Sequence, residues 1–169
     1  ISKDKNNIYF NGINIKFLNG IELKDKDLKN IGENYFRNKN NIYIVTDSDI
    51  DNEFWIYKLN LSSDLLDFKV ISKDYFINNG IGYYKTDQIG KIDEKTFKII
   101  RDKYSKDKNN IYFENKIIKN VDKKTFEILG YDYSRDRNNI YYRDKIYLNF
   151  IPKEIQVIDK IFSVYLSII

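Results

Sequence analysis

The chain has 169 residues, 42% of them hydrophobic, with 15 Tyr, 11 Phe, one Trp and one Pro. That is the length of one domain and enough apolar surface for a core, which excludes a disordered polymer. There is no His and no Cys, so Ser-His-Asp and Cys-His nucleophiles, ordinary zinc sites and a disulfide framework are excluded too. The 29 basic and 25 acidic side chains leave a net charge of only +4, and their close alternation reads as a solvated surface, not a nucleic-acid footprint.

From the N-terminus onward, one short phrase is written five times: SKDKNNIYF (2–10), FRNKNNIYI (36–44), FINNGIGYY (76–84), SKDKNNIYF (105–113) and SRDRNNIYY (134–142). Each joins a polar turn to an apolar run centred on a tyrosine. Repeats of this kind must stack on a neighbour to bury their apolar face. Anchored on Tyr9, Tyr43, Tyr83, Tyr112 and Tyr141, the copies are spaced by 34, 40, 29 and 29 residues, so the basic unit is 29 residues long. The chain opens on Ile1 with no initiator Met, as expected after removal of an export signal or the trimming of a longer chain. No run reaches the roughly 18 apolar residues of a membrane-spanning helix.

A second phrase follows each anchor: LKDKDLKNI (23–31), SDLLDFKVI (63–71), IDEKTFKII (92–100), VDKKTFEIL (121–129) and FIPKEIQVI (150–158). Its centre (Leu28, Phe68, Phe97, Phe126, Ile155) lies seven residues before the opening ring of the next strand (Tyr35, Tyr75, Tyr104, Tyr133, Phe162). The alternation in Phe97-Lys98-Ile99 and Phe126-Glu127-Ile128 has the period of a half-buried strand. Asp93–Thr96, Asp122–Thr125, Asp107–Asn110 and Asp136–Asn139 read as tight turns, with Asp accepting from nearby backbone N–H groups and Asn tolerating positive φ. Each unit is therefore predicted to hold about three short antiparallel strands.

The expected fold is all-β: five tandem repeats forming an open stacked array of hairpins in one domain, residues 1–169, with VYLSII (164–169) as a closing strand. A small propeller-like ring is the alternative. Ile111-Tyr112-Phe113 is apolar on both strand faces, so the tyrosines either stack in the interior or stand exposed in a row. The anchor-to-centre distance is 14 residues in the last three units, but 19 in the first and 25 in the second. Insertions in repeat arrays map to loops on one face. The second unit is thus expected to project a long hairpin, residues 42–59, with Trp55 on its return strand.

The repeated phrase, a basic residue, Asp or Asn, a second basic residue, then Asn-Asn-Ile-Tyr, resembles the DKNYY family of bacterial repeat proteins. Four of the five copies match well, and the third, INNGIGYY (77–84), keeps the tyrosines but loses the charged turn. The resemblance covers roughly residues 1–163. It implies a bacterial origin and an exported or envelope-associated protein, and it supplies no catalytic residue.

The chemistry that remains open is narrow. Gly80 and Gly82 stand in a turn with no following Lys or helix, unlike a phosphate loop. A carboxylate-dependent hydrolase would need one pair singled out among 25 acids. Asp47, Asp49 and Asp51 alternate at the hairpin tip and could surround calcium, though Asn52 and Lys58 stand where a helix–loop–helix site has Gly and Glu. Stacked turns would align Lys3/Lys5, Arg37/Lys39, Lys106/Lys108 and Arg135/Arg137, but Asp4, Asp107 and Asp136 interrupt the cations. The leading expectation is a non-enzymatic module with no cofactor, recognising another protein through Phe54, Trp55 and Tyr57. Carbohydrate or cell-wall binding by an exposed row containing Tyr112 and Tyr141 is an alternative. So is an immunity-like inhibitor of a bacterial toxin, by analogy alone.

Overall fold

The computed structural model describes residues 28–47, 54–61, 65 and 67–148, with shorter stretches at 2–3, 8–10, 12–14, 17–18 and 21–22. Among the described residues every regular element is a strand, and no helix is long and apolar enough to cross a membrane. The chain divides into two compact units, residues 1–88 and 89–169. The closing strand expected at 164–169 and the phrase at 150–158 lie outside the described residues.

In the first unit, β1 (Ser2–Lys3), β2 (Ile8–Phe10) and β3 (Ile13–Asn14) form a three-stranded antiparallel sheet, and β4 (Phe17–Leu18) pairs with β5 (Ile21–Glu22). Tyr9 sits on the central strand, opposite Ser2 and Asn14. A four-stranded meander follows: β6 (Lys29–Gly32), β7 (Tyr35–Arg37), β8 (Ile42–Asp47) and β9 (Phe54–Lys58). The next sheet runs β10 (Lys69–Val70), β11 (Tyr75–Asn78), β12 (Ile81–Tyr84) and β13 (Asp87–Lys91), and the division between the units falls within β13.

Alternation assigns the faces. Tyr35, Ile42 and Ile44 form one buried cluster with Leu59 and with Phe76 of the adjoining sheet, and Phe68, Val70 and Tyr83 pack against it. The rings interlock: Tyr35 meets Phe76 edge-on at 5.6 Å, and Phe76 lies flat on Tyr83 at 4.5 Å. Phe36, Tyr43, Val45 and Ile56 are buried too, so β7 and β8 bury both of their faces. Burying a side chain of this size contributes about 1.5–3 kcal/mol.

The second unit repeats the design. β14 (Lys98–Arg101), β15 (Tyr104–Lys106), β16 (Ile111–Phe113) and β17 (Lys116–Ile117) make one meander, and β18 (Glu127–Gly130), β19 (Tyr133–Arg135), β20 (Ile140–Tyr142) and β21 (Lys145–Leu148) the next. Tyr104, Ile111, Phe113 and Ile118 of the first bury against Tyr141, Phe126 and Ile128 of the second. The opening tyrosine of one copy meets the phenylalanine of the following phrase: Tyr35 and Phe68 at 5.9 Å, Tyr104 and Phe126 at 6.0 Å.

Each of the four larger sheets has four strands, not the three expected, and none closes on itself. In three of them the fourth strand, of two to five residues, follows a two-residue turn whose first residue takes positive φ: Lys85, Glu114 and Arg143, at 53°, 52° and 59°. That hand suits the twist of a hairpin, and no glycine marks it. The same residues donate backbone N–H groups to Asp74, Lys103 and Asp132, at 2.6–2.7 Å.

The third copy, whose charged turn is missing, is as regular as the others. Tyr75 faces Tyr84 and Phe76 faces Tyr83, the register in which Tyr104 faces Phe113 and Ser105 faces Tyr112. Asn79 (φ 51°) and Gly80 (φ 75°) close this hairpin with a turn that needs left-handed residues at both central positions. Phe76→Ala should cost about 3–5 kcal/mol and Ile44→Ala about 2–5, read as a lower urea midpoint at unchanged slope. Lys95→Ala, on an exposed turn, should stay within about 0.5 kcal/mol of the parent.

Candidate functional site

Two local structures have chemistry worth following: the clasp at the turns of the fourth and fifth copies and the long hairpin of the second copy. The clasp is built on a buried aspartate. Asp136 Oδ1 accepts the backbone N–H groups of Asn138 and Asn139, both at 2.8 Å. Its Oδ2 accepts the Tyr141 hydroxyl at 2.8 Å and the N–H of Asp122, fourteen residues upstream, at 2.7 Å. Asp107 repeats the set with Asn109, Asn110, Tyr112 and Asp93 at 2.8, 2.7, 3.0 and 2.9 Å. In both copies the second Asn donates its side-chain N–H to the tyrosine oxygen at 3.1 Å. One carboxylate thereby ties its own turn, the anchor ring and the preceding turn.

A second layer locks the two turns. Thr96 and Thr125 hydroxyl oxygens accept the N–H of Lys108 and Arg137, at 2.9 and 3.0 Å. Lys108 pairs with Asp93 at 2.8 Å, and Arg137 with Asp122. Arg135 gives two N–H groups to Glu127 at 2.6 and 2.8 Å. These cations of the expected basic stripe are engaged by the chain's own carboxylates.

Electrostatics follows from the geometry. Burial alone would push the Asp136 carboxyl up, but the donors from Asp122, Asn138, Tyr141 and Asn139 outweigh it and hold the group below the usual carboxylate value. Asp107 behaves alike, burial being outweighed by Asp93, Asn110, Asn109 and Tyr112. Burial, with the neighbouring carboxylate, pushes the Tyr112 hydroxyl up to about 12 and raises that of Tyr141.

Tyr112 and Tyr141 are 1% and 0% exposed, which corrects the exposed glycan-binding row expected of them. Both rings are buried and their hydroxyls are bonded to Asp107 and Asp136, so no sugar can stack on either. The tyrosine–aspartate link escaped the reading of the sequence, although the constant fourteen-residue step from Asp93 to Asp107 and from Asp122 to Asp136 carries its signal.

The hairpin is formed as expected: Val45 pairs with Ile56, Thr46 with Trp55 and Asp47 with Phe54. Val45 and Ile56 are buried and anchor its base, whereas Tyr57 is 38% exposed. Tyr57 rims a recess of about 240 Å³ whose walls include Leu59, Leu61, Phe76 and Tyr83. The recess brings together the inserted hairpin of the second copy and the half-buried anchor of the third. The side chains of Asp47, Phe54 and Trp55, and residues 48–53 with Asp49 and Asp51, lie outside the described residues.

Tyr141→Phe, which removes the hydroxyl's bonds to Asp136 and Asn139, should cost about 1.5–3 kcal/mol. Asp136→Ala should cost about 3 kcal/mol or more, because its donors stay buried without an acceptor. Asp136→Asn should fall between them. Because the folded carboxyls sit below their unfolded value, their contribution is full above about pH 5. It is lost as pH falls through about 4 toward the lowered folded value. An acid titration of the urea midpoint should flatten in Asp107→Asn/Asp136→Asn. The raised tyrosines act oppositely: their contribution is full below about pH 10 and is lost as pH climbs toward 12, which tyrosinate absorbance would follow.

The DKNYY family model matches residues 1–145 and, again, 104–165. No curated protein and no solved structure matches the chain. The repeated turn-and-tyrosine phrase, its clasp and this match over most of the sequence place the chain in the DKNYY family.

Proposed function

We propose that the five copies form an open array that displays the 42–59 hairpin to a protein partner, and that the chain acts without catalysis or a cofactor. The observation that carries this reading is the recess at the hairpin base. Tyr57 stands exposed on β9 beside Leu59, Leu61 and the face of Tyr83, in a concavity of about 240 Å³. Aromatic anchors next to an apolar recess are the features on which interface energy concentrates.

The repeat supplies an internal control for this reading. The anchor tyrosines of the fourth and fifth copies are wholly buried and bonded to aspartate, whereas Tyr83 is half-buried and stacked on Phe76. The third copy thus differs from the fourth and fifth at the recess that it shares with the inserted hairpin. Phe54 and Trp55 share strand β9 with Tyr57.

The test is affinity capture from the source cells with the wild-type chain, repeated with Trp55→Ala/Tyr57→Ala. A partner held by wild type should be lost at least about a hundredfold in affinity, as for a pair of hot-spot residues, with the urea midpoint little changed. Equal retention by the folded double variant would sink the reading.

A further inference from the structure

A second cavity, of about 300 Å³, lies at the turn end of the second copy and is lined by Lys29, Ile31, Arg37, Asn38 and Lys39. Three of these five residues are cations and none is an acid. Lys29 and Arg37 are direct cross-strand partners. Like charges placed opposite one another destabilise a sheet, so the arrangement calls for a counter-charge.

The fifth copy shows how the same framework is normally neutralised. Its equivalent strand pair is Glu127 opposite Arg135, closed by an ion pair of 2.6 Å, and Arg137 pairs with Asp122. In register, Glu127 becomes Lys29, Asp136 becomes Asn38, and Asp122 becomes Lys24, which lies outside the described residues. Asp122, Glu127 and Asp136 with Arg135 and Arg137 are thus replaced by Lys24, Lys29, Arg37 and Lys39 with neutral Asn38. The fourth copy also sets Lys98 opposite Lys106, but there Asp93 holds Lys108 at 2.8 Å and Asp107 keeps its carboxylate. Among the described residues, neither Lys29 nor Lys39 makes an ion pair.

Asn38 still builds the turn. Its Oδ1 accepts the N–H groups of Asn40 and Asn41 at 3.0 and 2.7 Å, and its amide N–H points to the Tyr43 hydroxyl at 3.3 Å. Among the described residues, the turn at the cavity is therefore shaped by Asn38 with no carboxylate. Arg37 donates one Nη1 hydrogen to the Leu65 carbonyl at 3.2 Å, which fixes the guanidinium while leaving further donors on its fork.

We propose that this cavity binds a phosphate-sized oxyanion between Lys29, Arg37 and Lys39. Two lysines and an arginine line the cavity, side chains that give an oxyanion charge-assisted hydrogen bonds. The anion supplies the negative charge that Glu127 and Asp122 supply in the fifth copy.

Calorimetric titration with inorganic phosphate, at fixed ionic strength in chloride, tests this. Saturable binding is expected in wild type. Lys29→Glu, which recreates the pair of the fifth copy, should weaken phosphate at least about tenfold, roughly one charge-assisted contact, while raising the urea midpoint in its absence. Lys39→Gln, on an exposed turn, should weaken phosphate several-fold and serves if Lys29→Glu does not fold. No saturable binding in wild type, as when the chain's own Asp25 or Asp27 occupies the site, overturns the proposal. So does undiminished affinity in the folded variants.

Discussion

A buried carboxylate with every lone pair used is the constraint on which each regular copy depends. Taking the Asp136 charge out of water is costly, and only full satisfaction by fixed donors offsets it. The donors are two N–H groups of its own turn, one from the turn of the preceding phrase and the Tyr141 hydroxyl. These four bonds also account for the repeated letters. Asp is needed for two acceptor oxygens, and Tyr carries a hydroxyl across the strand to reach them. The second Asn both donates its backbone N–H and bonds the phenol. What looks like a sequence signature is a closed hydrogen-bond circuit.

The circuit also explains why strands of three residues suffice. An isolated hairpin of that length is marginal in water. Here the turn end is held by the clasp, and the opposite end by N–H donation from Glu114 to Lys103 or from Arg143 to Asp132. The span between them needs only one ring on each face. Interlocked aromatic contacts such as Tyr104 with Phe113 at 5.0 Å then carry the packing from strand to strand.

Much of this was legible before any coordinates. Period-2 alternation and Asp-led turns identified the strands around Phe97, Tyr112 and Phe126, and the anchor spacing located the long hairpin. Three things were not. Ile111-Tyr112-Phe113 is apolar on both faces, so alternation had no power to say whether Tyr112 faced solvent; only its bond to Asp107 decides that. The strand Lys116–Ile117 is too short for a period and enters through a turn at Glu114, a residue with no turn preference of its own. The third copy loses the charged turn, yet Asn79-Gly80 keeps the register by its left-handed backbone conformation in place of the aspartate clasp.

That substitution of one device for another has a consequence for where binding can arise. In the fourth and fifth copies the clasp uses both carboxylate oxygens and the phenol, and Lys108 and Arg137 are paired with Asp93 and Asp122. Replacing Asp by Asn38 preserves the two bonds that shape the turn, at 3.0 and 2.7 Å, but reverses the polarity toward the ring, since the amide now donates to Tyr43. Replacing the turn by Asn79-Gly80 removes the carboxylate altogether and leaves Tyr83 stacked on Phe76, facing the recess beside Tyr57. In both cases the backbone keeps its register without the carboxylate. A repeat protein gains a site in this way without altering its frame, by relaxing the clasp in one copy while its neighbours keep theirs.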